Sequence, residues 1–173
     1  MGRATTQKKI LQLVKHAWSK TPRIHMRSTA IVGFPGETDE HFQDMIDFIC
    51  KYKFDRLGAF AYSAEEGTPA AKFPDQVDPD TIRERLSRFE EVQNQITEEL
   101  SVARIGTFDK VIVDLKREDI GPFIFEARSQ AEAPEVDIVI MVESKNAKVG
   151  DWCDVKITGY DNGELIAIDV GLL

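Results

Sequence analysis

Apolar positions recur every three or four residues in three stretches of the chain, and nearly every second residue in most of its last third. Residues 5–20 carry Ile10, Leu11, Val14, His16, Ala17 and Trp18 with Lys and Gln between them. That spacing predicts an amphipathic helix with a threonine available as its N-cap, closed by Pro22 and Arg23. Residues 38–53 repeat the pattern with Phe42, Met45, Ile46, Phe48 and Ile49 behind an acidic first turn. Residues 80–103 place Ile82, Leu86, Phe89, Val92, Ile96 and Leu100 at close to the helical period, a third and longer helix. The runs 24–32 and 54–62 flank the second helix and read as strands. A strand, a helix and a strand in that order imply a parallel pair joined by a right-handed crossover. Two strands cannot bury such a sheet on both faces. The unit is therefore expected to be a piece of a larger barrel, with exposed apolar edges or a dimer if it stands alone.

Ile105-Gly106 ends the third helix and marks a domain boundary, after which the period shortens. Residues 108–115, 123–127, 138–142, 151–158 and 165–170 read as five short strands separated by turn chemistry. Asp161-Asn162-Gly163 is a hairpin signal, because a two-residue hairpin turn asks for residues that tolerate positive φ. Five strands in so short a stretch suggest a small OB-like barrel. The fold class is thus α/β, with an α/β unit over residues 1–105 and a five-stranded barrel over residues 106–173.

Composition narrows the class. A hydrophobic content of 42% and a charged content of 30% suit a soluble globular protein. No apolar run approaches the ~20 residues of a membrane span, and the N-terminal residues lack the apolar core of a secretory signal. Gly2 after Met1 fits a domain start better than an acylation site. The expected compartment is the cytoplasm. There, Cys50 and Cys153, far apart among apolar neighbours, are expected to be two buried free thiols. The formal net charge of −8 argues against a general nucleic-acid binder. From residue 107 onward acidic residues outnumber Lys and Arg about two to one, whereas the preceding part is near neutral. An acidic C-terminal module suits a basic partner, with plain surface solubility as the alternative.

Candidate chemistry concentrates in Met26-Arg27-Ser28-Thr29-Ala30-Ile31-Val32-Gly33-Phe34-Pro35-Gly36-Glu37-Thr38. A strand there feeds a turn and then a helix, and α/β proteins bind ligands at the C-terminal ends of their strands. Gly33 and Gly36 admit positive φ and close backbone approach, and Pro35 stiffens the turn between them. Glu37 is expected at the mouth of the site. An ordinary loop rich in Gly and Pro is the plainer reading. The loop 63–79 is long enough to be functional in its own right. His16, His25 and His41 show no metal-ligand spacing, so no metal site is expected.

Ile31-Val32-Gly33-Phe34-Pro35-Gly36-Glu37-Thr38, followed by Tyr62-Ser63-Ala64-Glu65-Glu66-Gly67-Thr68-Pro69-Ala70-Ala71, closely resembles the radical-SAM methylthiotransferases. Within them it is most similar to the branch that modifies an aspartate of a small-subunit ribosomal protein. The resemblance begins at Met1-Gly2-Arg3-Ala4-Thr5-Thr6 and runs to the C-terminus. Its most specific element is Arg128-Ser129-Gln130-Ala131-Glu132-Ala133-Pro134-Glu135-Val136-Asp137. It implies the C-terminal half of a radical-SAM (β/α) partial barrel over residues 1–105 and a TRAM domain over residues 106–173. It also implies S-adenosyl-L-methionine and 4Fe-4S clusters as cofactors of the whole enzyme.

That chemistry needs three cysteines at CxxxCxxC spacing, which do not occur here. No catalytic residue is assigned. The chain is expected to be inactive alone, to bind no cofactor firmly, and to need N-terminal domains of the same polypeptide. By resemblance, Arg27, Ser28 and Thr29 approach the ribose and methionyl end of the cofactor. Gly33, Phe34, Pro35, Gly36 and Glu37 lie beside its adenine, and Tyr62 and Ser63 stand at the next strand end. Plainer roles stand beside these: a paired surface residue for Arg27, β-propensity for Ser28 and Thr29, core packing for Phe34.

For the substrate, the resemblance points to Glu65 and Glu66, where the tRNA-modifying relatives commonly carry Arg, and to Glu126, Arg128, Glu132, Glu135 and Asp137 of the TRAM part. A solvated turn is the plainer reading of Glu65 and Glu66. Ala64 stands where the family often has Pro. Phe123, Phe125 and Arg128 could form a stacking platform of the OB type, but the acids around it should repel RNA, so nucleic acid is not the expected partner. Trp18 is expected in the core, and Trp152 either in the core or on a binding face. The whole enzyme would cleave S-adenosylmethionine to a 5′-deoxyadenosyl radical, abstract hydrogen from the aspartate β-carbon and install a methylthio group. The acidic TRAM module would dock the basic ribosomal protein. Two alternatives stand beside it, a tRNA adenosine methylthiotransferase and a non-enzymatic OB-like binding module.

Overall fold

The computed structural model describes residues 5–20 and 24–171. Pro22 and Arg23, expected to close the first helix, and Arg3 lie outside them. The chain divides into two units, Met1–Ile96 and Thr97–Leu173, with the division inside the third helix.

In the first unit, α1 (Gln7–Trp18) starts at Thr6, whose hydroxyl accepts the Lys9 N–H at 3.4 Å. β1 (Arg27–Val32) leads into α2 (Asp39–Tyr52) and then β2 (Arg56–Ala61). Thr38 caps α2 through a box closed by a histidine. Its hydroxyl accepts the His41 N–H at 3.2 Å, and His41 Nδ1 accepts the Thr38 N–H at 3.4 Å. That gives His41 a structural role. β1 and β2 pair in parallel from Arg27↔Arg56 to Val32↔Ala61, as the order of elements predicts. Both strands start two to three residues later than the hydrophobic runs. The buried Asp55 carboxylate accepts the Met26 N–H at 2.8 Å and lies 3.2 Å from His25 Nδ1, so a side chain takes that N–H, while the Met26 carbonyl accepts the Arg56 N–H of β2 at 3.2 Å.

Val32, Phe42, Ile46, Ile49, Phe54 and Phe89 form the core of this unit. Elsewhere on the sheet Ile31 is 37% and Phe60 66% exposed, which is the apolar edge expected of a two-stranded piece. The loop after β2 holds one 3₁₀ turn, Ala70–Lys72. α3 (Pro79–Val102) begins with proline at its first position and Asp78 before it. Asp78 Oδ1 accepts the N–H groups of Asp80 and Thr81, both at 3.0 Å, and Oδ2 accepts the Thr81 hydroxyl. The hydroxyl and N–H of Thr81 hold the Asp78 carboxyl below its ordinary range. Stabilisation from a depressed carboxylate is present while the group is ionised and lost as pH falls through its lowered value. Asp78→Ala is therefore expected to lower the urea midpoint of the first unit at neutral pH. The gap should close in acid below the ordinary carboxylate range. A gap that stays constant down to full protonation would contradict the capping role.

The second unit is a closed barrel of five strands: β3 (Phe108–Lys116), β4 (Ile124–Arg128), β5 (Ile140–Glu143), β6 (Trp152–Asp161) and β7 (Glu164–Asp169). Neighbours run β3-β4-β5-β7-β6 and back to β3, antiparallel except for β5 with β7. Alternate residues, among them Val111, Val113, Ile140, Val142, Val155 and Leu165, fill the interior. The β6–β7 turn is Asn162-Gly163 with φ of 50° and 85°, the two positive values a tight hairpin of this hand needs.

Two expectations are corrected here. Phe125 lies in the barrel core, so it does not form an outer platform with Phe123 and Arg128. The alternation of β4 sends Phe125 inward and Arg128 outward. Cys50 is exposed on α2, whereas Cys153 is buried, and burial pushes its thiol pKa up. Among the described residues no helix is long and apolar enough to cross a membrane.

Candidate functional site: the strand-end cleft of the first unit

At the end of β1 the backbone turns through Gly33 at φ +80° and Gly36 at φ +83°. A Cβ on Gly33 would lie 2.4 Å from Ile82 Cγ1 of α3, so the first glycine is demanded by close packing as well as by conformation. Gly36 has open space, and its N–H donates to the Asp75 carbonyl at 2.8 Å. The turn closes where the Glu37 N–H meets the Phe34 carbonyl at 2.9 Å.

Glu37 does not stand at a site mouth. Its Oε1 accepts the Gly33 N–H at 3.1 Å and Arg85 Nη1 at 2.8 Å, and Arg85 Nη2 reaches Asp39 at 2.6 Å. Burial works against the charge on Arg85, but the hydrogen bonds it donates to the Asp39 and Glu37 carboxylates outweigh it and raise its pKa. The carboxylate expected for the cofactor therefore clamps the corner from within.

A cleft of about 800 Å³ opens beside this corner, at the C-terminal ends of β1 and β2. Thr29, Ile31 and Phe34 line one side, and Phe60, Tyr62 and Ser63 the other. The loop after β2 closes it with Glu65, Thr68 and Phe73. The Phe34 ring meets Tyr62 edge-on at 5.3 Å and Phe73 at 6.4 Å. The Tyr62 hydroxyl is buried without a hydrogen-bond partner among the described residues. A buried hydroxyl left unpaired is costly, and in a ligand cleft it marks where a polar ligand atom fits.

Of the expected cofactor residues, Thr29, Phe34, Tyr62 and Ser63 line the cleft. Gly33 and Pro35 are buried in the corner, Gly36 is exposed outside the lining, and Arg27 begins the far end of β1. Ser28 alternates away from Thr29 and Ile31. Glu65 lines the cleft and Glu66 does not. Sequence reasoning passed over Ile31, Phe60 and Phe73. Ile31 shares its face with Thr29, and Phe60 is its partner in register, so period two carried that signal. Phe73 comes from an irregular loop and carried none.

In the barrel, the segment 128–137 is tied to its own surroundings. Glu132 is buried, against expectation, with Oε1 accepting Arg104 Nη1 at 2.5 Å and Oε2 accepting the Ser129 N–H at 3.0 Å and hydroxyl at 2.6 Å. Asp137 accepts the Ala133 N–H at 2.6 Å, and Arg128 pairs with Asp114 at 2.9 Å. Glu126 binds Arg117. Glu135 is exposed, with φ of 60°.

The cleft can hold a flat, largely apolar group with a few polar atoms. An iron–sulfur cluster is another matter. Among the described residues no three of His, Cys, Asp and Glu are gathered to hold a metal, and Cys50 and Cys153 belong to different units. The residues present do not fit a cluster.

A protein-family model described as TRAM domain matches residues 105–170. Similarity to curated proteins extends over nearly the whole chain. The Phocaeicola vulgatus protein named ribosomal protein uS12 methylthiotransferase RimO is 39% identical over 170 residues, 96% of this chain and 38% of its own length. The protein of the same name from Clostridioides difficile is 39% identical over 158 residues, 91% of this chain and 35% of its own. That from Xanthomonas oryzae pv. oryzae is 41% identical over 168 residues, 95% and 36%. The chain thus spans little more than a third of the length of these relatives.

Proposed function

We propose that this chain, which belongs to the radical-SAM methylthiotransferases of the RimO type, supplies one wall of the S-adenosylmethionine pocket and the substrate-docking barrel of an enzyme that adds a methylthio group to the β-carbon of an aspartate in ribosomal protein uS12. The observation that carries the reading is the strand-end cleft, where Phe34, packed edge-on against Tyr62 and Phe73, gives an apolar wall and the Tyr62 hydroxyl is buried and unpartnered among the described residues. S-adenosylmethionine, when bound, supplies the radical chemistry that transfer to an unactivated carbon requires. The residues of this chain bind and orient. The aromatic edges enclose the base, Thr29, Ser63 and Tyr62 offer hydroxyls, and Glu65 sets a carboxylate at the rim. The first unit is then the C-terminal half of the radical-SAM barrel, with the module boundary near residue 105. Lacking cluster ligands, the chain alone is inactive. Its acidic barrel suits a basic ribosomal protein.

One observation favours a second reading, a tRNA substrate. Trp152 and Phe108 are exposed on the outer face of β3 and β6, with Lys110 and Lys156 about 5.9 Å from their respective ring centroids. Exposed rings with lysines are what single-stranded RNA stacks on.

A chimera decides between the two. This chain replaces the matching segment of a RimO relative, the clusters are reconstituted without oxygen, and uS12 and tRNA are each assayed by mass. The expected result is methylthio addition to uS12 alone, and none to either by this chain unassisted. Modified tRNA with unmodified uS12 would overturn the proposal. In the same chimera Tyr62→Phe is expected to weaken cofactor binding about fivefold, one hydrogen bond's worth.

A further inference from the structure

We infer that the outer face of β5 and β7 is a docking groove for a basic protein segment, extended, with one aliphatic anchor between Lys or Arg residues. The inference rests on the reading of the barrel as the docking module, and it locates the seat.

Barrel strands alternate, and the outward positions of a water-facing barrel are usually polar. Here β7 sends Ile166 and Ile168 outward, 39% and 40% exposed, and Ile120 in the β3–β4 connection is 55% exposed. With Met141 of β5 and Ile124 of β4 they line a groove of about 320 Å³. Three carboxylates edge it: Glu143, Asp161 and Glu164. Glu143 and Glu164 make no ion pair among the described residues, and Asp161 accepts only the Asn162 amide, at 3.1 Å. The cations of the connection that carries Ile120 are already taken. Arg117 is bound by Asp119 and Glu126, and Lys116 by Glu118.

An apolar floor inside an unpaired acidic rim selects its occupant. Lys and Arg lay their methylene stems on isoleucine while their heads reach the carboxylates, and a central Ile or Leu fills the floor. An anionic lipid surface or a phosphate backbone meets repulsion from the rim. A second copy fits poorly, because two-fold pairing of this face sets acid against acid.

The test is fluorescence anisotropy with the full chain and a labelled peptide of alternating Lys and Gly around a central Ile. Binding is expected to fall with salt. It should weaken about tenfold in the Glu143→Lys/Glu164→Lys variant, since each exposed pair is worth up to about fivefold and two are replaced by repulsion. It should change less than twofold in Glu84→Lys/Glu91→Lys, which alters net charge equally on exposed positions of α3. Equal weakening by the α3 pair would reduce the effect to net charge and overturn the inference, as would equal binding of a peptide with Gly in place of Ile. Concentration-dependent dimerisation abolished by Ile166→Lys would overturn it in favour of a second copy. If uS12 binds the chain but ignores the Glu143→Lys/Glu164→Lys change, the seat is wrong and the docking reading stands. If the peptide binds as expected while uS12 does not bind at all, the docking reading fails and the groove stands.

Discussion

Alanine at position 33 is expected to cost the first unit about 3 kcal/mol, combining a left-handed backbone at ~1–2 kcal/mol with overpacking at ~1–3 kcal/mol. The backbone there sits at φ +80°, and the new methyl would meet Ile82 Cγ1 at 2.4 Å and Cδ1 at 2.6 Å. Ile82 belongs to α3, so relief requires the helix side chain or the corner itself to move. Gly36→Ala is the internal control, with φ +83° and nothing within 4 Å of the added carbon. It should cost only about 1 kcal/mol, the conformational part alone. In a Trp152→Phe background Trp18 reports on the first unit, and urea midpoints with an unchanged slope give the difference. If both variants lose the same amount, the contact with Ile82 is not what fixes the corner. A displaced corner would also carry Phe34 out of the cleft wall.

The second large effect lies in the barrel. Glu132→Ala is expected to destabilise that unit by about 3 kcal/mol, the range seen when one partner of a buried ion pair is removed. The carboxylate is 1% exposed, and its loss leaves the Ser129 N–H without its acceptor. It also leaves Arg104 to Asp109 and the Ser129 hydroxyl, at 2.9 and 3.2 Å. Glu132→Gln keeps an acceptor and most of the shape, so it should recover part of the loss. Hydrogen exchange of core amides on β3 and β4 measures both. If the alanine variant loses no more than a surface substitution, within ~0.5 kcal/mol, Glu132 does not hold the loop, and a direct role toward a partner returns to consideration.

These residues show where sequence reasoning reached and where it stopped. Local signals held wherever the cause was local. The period-two runs gave the five barrel strands, Asn162-Gly163 gave its turn, and Thr38 gave the start of α2. The corner at 33–36 was legible as a corner because only glycine takes those backbone angles cheaply. What no window could reveal is pairing at long separation. Glu37 looked free until Arg85, 48 residues on, claimed it, and Glu132 looked like surface until Arg104, 28 residues earlier, drew it inside. The polar residues Arg85 and Gln93 occupy buried positions on α3 that an apolar count passes over. Phe125 was different. Alternation with Glu126 and Arg128 already set it on the face opposite Arg128, and the stacking platform overlooked that.

The proposed cofactor wall is tested most directly by titrating the full chain with S-adenosylmethionine and following backbone amide resonances. The account predicts weak saturable binding, with a dissociation constant of about 1 mM or above, equivalent to ~4 kcal/mol. Shifts should be confined to Thr29, Ile31, Phe34, Tyr62, Ser63 and their neighbours. Shifts gathered on the barrel, no response at the cleft, or nanomolar binding without a cluster would each contradict it.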